Sequence, residues 1–229
     1  MDVPRRYLGA LLISAILGGA ASAQPAHRPV RKITFTVFAA EPIEPVAYAP
    51  HPGAPPVPLV FFPTARSPRC LHAGPDTVRF YDSVTGDPVA SVTVPPEIRT
   101  ALFIFSVNDA TVSKRYRVQV VDDDLAQSPP GTLRILNLSG LQLTGMINRQ
   151  PVTLREGLNR PLHAGTSASV ILRTPFRDRS YQAYAETIPL GASGRALLLL
   201  LPPYRPGALE VQSRLLLDSS AAVPWEQRN

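Results

Sequence analysis

Apolar and polar residues alternate with a period of two along most of the chain. Ile33, Phe35 and Val37 are separated by Thr34 and Thr36, the pattern of a strand with one face buried, because successive side chains of extended backbone point to opposite sides. The same reading predicts strands over Thr77–Tyr81, with Val78 and Phe80 on one face, over Val89–Val94, over Arg115–Val120, with Tyr116, Val118 and Val120 on the core side, and over Leu209–Arg214. Leu59–Phe62, Ser169–Arg173 and Tyr181–Ile188 are also expected as strands. Two stretches break the alternation: Ala101–Phe105 and Arg195–Leu201 are almost continuously apolar, as strands covered on both faces would be. Thr85-Gly86-Asp87-Pro88 reads as a hairpin turn, glycine taking positive φ and proline opening the next strand. Seven prolines from Pro42 to Pro58 predict an extended loop or edge segment, since proline donates no ladder hydrogen bond. No stretch carries a helical period.

The tetrapeptide Leu71-His72-Ala73-Gly74 returns as Leu162-His163-Ala164-Gly165. Other short matches keep nearly the same spacing: Val78 with Val170, Val94-Pro95 with Ile188-Pro189, Ala101-Leu102 with Ala196-Leu197, Val118-Gln119 with Val211-Gln212, and Pro56–Leu59 with Pro151–Leu154, all at offsets of 91 to 95. Ordered matches at one offset indicate duplication, because chance matches scatter. Short strands punctuated by turns, in units of about 90 residues, lead to an all-β expectation of two tandem immunoglobulin-like β-sandwich domains related by internal duplication. The boundaries are residues 24–125 and 130–218, with a linker at 126–129 and a tail at 219–229 that holds the lone Trp225. Neither unit has the Cys-Trp-Cys pattern of true immunoglobulin domains, so the expectation concerns architecture only.

Residues 1–23 read as a secretory signal peptide: Arg5 and Arg6, an apolar run from Leu8 to Leu17, and Ala21-Ser22-Ala23 before Gln24. The expected product is exported, periplasmic or extracellular, with no transmembrane helix once the signal is removed. The signal carries two arginines and one aspartate, so removing it takes the net charge from +6 to +5. From Pro130 onward there are eleven arginines, no lysine and six acidic residues. That excess favours an anionic envelope surface, although arginines distributed one per strand also describe an ordinary solvent face, and no basic cluster with interleaved aromatics points to nucleic acid. Cys70 is the sole cysteine; it excludes an internal disulfide framework and reads as a half-buried free thiol.

Gly131–Ser139, followed by Leu141–Thr144, reads as strand, tight turn and strand. Those nine residues resemble exported bacterial tandem β-sandwich proteins in which an Arg-bearing strand ending in Asn-Leu-Ser or Asn-Leu-Thr recurs. The resemblance implies an envelope or surface setting, and the family brings no activity to carry over.

Candidate chemistry is sparse. His72 and His163, placed equivalently by the repeat, read as turn histidines bonded to local backbone, since no partner at zinc spacing accompanies them. Asp122-Asp123-Asp124 reads as a solvated linker run, because consecutive residues of an extended chain cannot all face one ion. Asn137-Leu138-Ser139 matches a glycosylation sequon but sits in an expected strand. No catalytic motif, metal site or cofactor fingerprint occurs, so the expectation is a non-enzymatic structural or binding module of the cell envelope, contacting protein or polymer, with no cofactor. The alternative is a periplasmic assembly chaperone. Pilus chaperones are similar in layout, and that likeness implies client-carboxylate anchors, for which Lys32 and Lys114 are the candidates. A chaperone would expose the apolar face of the strand after Lys114; a plain module would bury it.

Overall fold

The computed structural model describes residues 30–108 and 115–219; the signal segment, Lys114 and Trp225 lie outside them. The described residues form strands and no helix. The strands are β1 (Arg31–Ala39), β2 (Val46–Tyr48), β3 (Val57–Pro58), β4 (Cys70–Gly74), β5 (Thr77–Asp82), β6 (Pro88–Thr93), β7 (Thr100–Val107) and β8 (Tyr116–Asp122). They continue as β9 (Thr132–Asn137), β10 (Leu143–Ile147), β11 (Gln150–Leu154), β12 (Gly157–Leu158), β13 (Leu162–His163), β14 (Ser167–Phe176), β15 (Arg179–Pro189), β16 (Gly194–Leu201) and β17 (Gln212–Ser219).

Four sheets result, ordered β3-β2-β5-β6, β4-β1-β7-β8, β12-β9-β16-β17 and β11-β10-β14-β15, with β13 also on β9. Most neighbours are antiparallel, but β1 runs parallel to β7 and β9 parallel to β16. Alternation explains where each side chain goes. Ile33, Phe35 and Val37 of β1 join Val78, Phe80, Phe103 and Phe105 in a core between the first two sheets. Leu133 and Ile135 join Leu143, Val170, Leu172 and Leu198 between the last two.

A third apolar layer lies between these sandwich-like pairs. Phe38, Leu102, Ile104 and Val121 of one inner sheet meet Leu136, Leu197, Leu199 and Leu216 of the other. The non-alternating strands β7 and β16 are thus covered on both faces, as their sequences require: Ala101, Phe103 and Phe105 turn one way, Leu102 and Ile104 the other. Each fully buried side chain of this size contributes roughly 1.5–3 kcal/mol relative to exposure.

Several expectations need correction. Leu59–Phe62 is not a strand; the strand is the preceding Val57–Pro58, while Leu59 is buried and donates its N–H to the Val46 carbonyl at 2.8 Å. The proline-rich segment supplies an edge strand, β3, in line with the edge alternative, but it also contributes β2, which pairs with both β3 and β5. Proline is tolerated there at the sheet edge, where a missing donor leaves no ladder bond unmade. The last strand is β17, Gln212–Ser219, rather than Leu209–Arg214. Its pairing along β16 from Leu201 to Gly194 fixes that register.

Candidate binding face

The expected site residues are scattered. Lys32 is exposed on β1, opposite Ala73 of β4, and Lys114 lies outside the described residues. Tyr116 is buried in the first core, with Val118 and Val120 packed against it. The two histidines are not equivalent. His72 pairs with Ile33 and is buried, its Nδ1 lying 3.1 Å from the Ala49 carbonyl oxygen and its Nε2 3.2 Å from that of Pro75. His163 pairs with Thr132 and is exposed. Thr132 matches Thr34, which faces Leu71, when the parallel pairs β1·β7 and β9·β16 are superposed. The two tetrapeptides are therefore one residue out of step, which puts their side chains on opposite faces.

Asp122–Asp124 is not a solvated run. Asp123 is buried and accepts from Arg66 Nε and Nη2 at 3.1 and 3.2 Å. Arg195, also buried, pairs with Asp123 at 3.4 Å and with Asp218 at 2.7 Å, and donates to the Asp123 carbonyl at 3.2 Å. Arg134 donates to the Asp122 carbonyl at 2.7 Å, and burial holds its guanidinium below the usual arginine range. Arg134 and Arg195 reach from the second pair of sheets to the end of the first and satisfy carbonyls that the chain connecting β8 to β9 would otherwise bury unbonded. Asn137 of the sequon is buried; its side chain donates to Leu141 and accepts from the Ser139 hydroxyl at 2.6 Å, closing the turn after β9.

Cys70 is half-buried. Burial raises its thiol, and burial together with the nearby thiol pushes Tyr48 up to about 12. At the far end of the first pair, Arg115 bridges Glu44 and Asp82. The backbone amides of Thr85 and Val84, then Arg115, hold the Asp82 carboxyl below its usual range. Among the described residues no three His, Cys, Asp or Glu side chains are grouped to hold a metal ion, and no helix is long and apolar enough to cross a membrane.

What the sequence did not reveal is the outward face of the sheet β11-β10-β14-β15. Register aligns Pro151, Met146, Ile171 and Ala185 in one row across four strands, and Thr153, Thr144, Arg173 and Gln182 in the next. All eight are exposed, Met146 by 40% and Ile171 by 44%. Met146, Asn148, Arg149, Ser169 and Ile171 line a shallow depression of about 640 Å³. The matching face of the first pair instead presents Thr77, Arg79, Ser91 and Thr93.

Both hairpin turns of this sheet are unusual. Asn148 and Arg149 have φ of 47° and 68°, and Arg177 has φ of 53°; they are the positive-φ residues other than glycine among those described. A two-residue turn between Ile147 and Gln150 calls for positive φ at both positions, for which Asn-Gly is the favoured pair. Asn148 fits that demand and is tied down: it donates to the Ala164 and Ser167 carbonyls at 3.2 and 3.1 Å and accepts from Ser169 N–H at 2.8 Å. Arg149 occupies the position where glycine would be unstrained. At the other turn the Arg177 guanidinium lies 5.3 Å over the Phe176 ring, which meets Tyr181 edge-on at 6.3 Å. Of the nearby carboxylates, Asp178 is in this turn and Glu186 accepts the Tyr184 hydroxyl at 2.5 Å, so the face itself is basic and apolar.

No protein-family model and no curated protein matches the chain.

Proposed function

We propose that the chain is a non-enzymatic exported module of the cell envelope, built as two immunoglobulin-like sandwiches by duplication of one unit, that binds a protein or polymer partner. The duplication is supported by paired sheet orders, in which β1 parallel to β7 and β9 parallel to β16 occupy the same inner position. Export is supported by the pattern of residues 1–23. The single observation that carries binding is the second outer sheet face, where Met146 and Ile171 stand side by side in solvent between arginines. Adjacent exposed apolar side chains rimmed by polar groups mark contact surfaces more often than isolated ones do. The buried groups Asn137, Asp123 and Arg195, by contrast, are engaged in bonding the chain to itself.

The module is favoured over the chaperone because Tyr116, Val118 and Val120 turn toward the first core. A donor strand needs those residues for its client.

Cell fractionation tests the reading. The protein is expected outside the cytoplasm, beginning at Gln24 by mass spectrometry, and sedimenting with envelope material whether or not Lys32 and Lys114 are replaced by alanine. Full-length cytoplasmic protein would overturn it, and capture of a protein subunit that depends on either lysine would favour the chaperone.

A further inference from the structure

Resting on that reading, we infer that the outward face of β11-β10-β14-β15 is a binding site for an acidic polysaccharide, running from Arg149 across Met146 and Ile171 to Arg173 and Arg177. The first support is local strain. Two of the three positive-φ residues other than glycine are arginines, and both sit at the tips of this one sheet. An arginine held in the left-handed region is less stable than glycine would be, and local rule-breaking without a local gain concentrates at functional sites. The Arg149 side chain is the feature that such a position retains.

The second support is the shape of the face. From Val170, opposite Ile147, to Phe176 at the other turn, the strand covers about 20 Å at roughly 3.3 Å per residue. An extended ligand along β14 would therefore meet a guanidinium at each end, with Arg173 between. Backbone donors and acceptors of β10 and β14 are used in the ladders on either side, so the face cannot recognise a peptide main chain. It offers a low apolar row for the C–H faces of sugar rings, the hydroxyls of Thr144, Thr153, Ser169 and Thr187 for sugar hydroxyls, and arginine forks that pair with carboxylates. The depression is shallow, suited to a chain lying flat rather than to a side chain inserted in a pocket.

Charge complementarity selects an acidic glycan over a neutral one. The nearby carboxylates are confined to the Asp178 turn and to Glu186, already bonded to Tyr184.

Binding of the mature chain to polygalacturonate, with dextran, poly-glutamate and duplex DNA as comparisons, tests the proposal by calorimetry and affinity electrophoresis. Polygalacturonate should bind, dextran should not, and poly-glutamate and DNA should bind at least tenfold more weakly. Arg149→Gly and Arg173→Gln should each weaken polygalacturonate binding severalfold, and Met146→Ala with Ile171→Ala about tenfold. Arg149→Gly should leave the thermal midpoint unchanged or raise it, which separates lost contact from lost fold. Equal binding of all polyanions, indifference to the apolar pair, or a fall in stability for Arg149→Gly would overturn the inference. If no polysaccharide binds while the protein still sediments with envelope material, the site assignment fails and the module reading stands; if neither occurs, both fail.

Discussion

Asp123 shows how much one side chain in this fold can carry. It lies beside two arginines, and its carboxylate, 11% exposed, is surrounded by Arg66 and Arg195 at 10% and 7%. Removing one partner of a buried ionic group leaves the others uncompensated, which costs about 3–5 kcal/mol. Asp123→Ala should lower the unfolding free energy obtained from urea titration by that amount, whereas Asp218→Ala, on a carboxylate 43% exposed, should cost under about 1 kcal/mol. Equal effects would show that the cluster acts as a surface network. The sequence displayed three consecutive aspartates; that the middle one is buried depends on Arg66 and Arg195, 57 and 72 residues away. His72 and His163 make the same point. Their shared tetrapeptide is visible in the chain, while their opposite exposure depends on a one-residue difference in pairing.

At the scale of single strands, most of the pattern was legible. The hairpin β5–β6 with its Gly86 turn, at φ 78°, follows the predicted turn chemistry. The short strands β2, β3, β12 and β13 were not legible, because two or three residues carry no period and are recruited by longer neighbours. Gly145 on β10 marks a demand that only pairing reveals: a Cβ there would collide with the Ile171 carbonyl oxygen of β14. Gly145→Ala is expected to push β10 off β14 and destabilise the protein by about 1–3 kcal/mol. Hydrogen exchange should show lost protection in β10 and β11 first. Retained protection in these strands would mean that the backbone shifts without breaking the ladder.

Across the whole molecule, the layer between β7 and β16 joins the two pairs of sheets. Eight side chains are buried there, enough for unfolding of one pair to expose the apolar face of the other. The wild-type protein should therefore unfold in one transition by calorimetry. Leu199→Asp places a carboxylate at a fully buried position of that layer. It should split the trace into two transitions, with near-native secondary structure at low temperature. A single, merely lowered transition would show that the pairs are coupled through the Asp123–Arg195 cluster instead.

The sequence by itself determined that this chain forms strands, which face of the longer alternating ones is apolar, and that β7 and β16 need cover on two sides, because those are properties of neighbouring residues and a period of two. Tertiary structure alone decided what supplies the second cover, why Arg134 and Arg195 are buried, and that Met146 lies beside Ile171 in solvent. Those outcomes depend on register and layer order between segments far apart in the chain, and a residue's neighbours in sequence hold no record of its neighbours across a sheet.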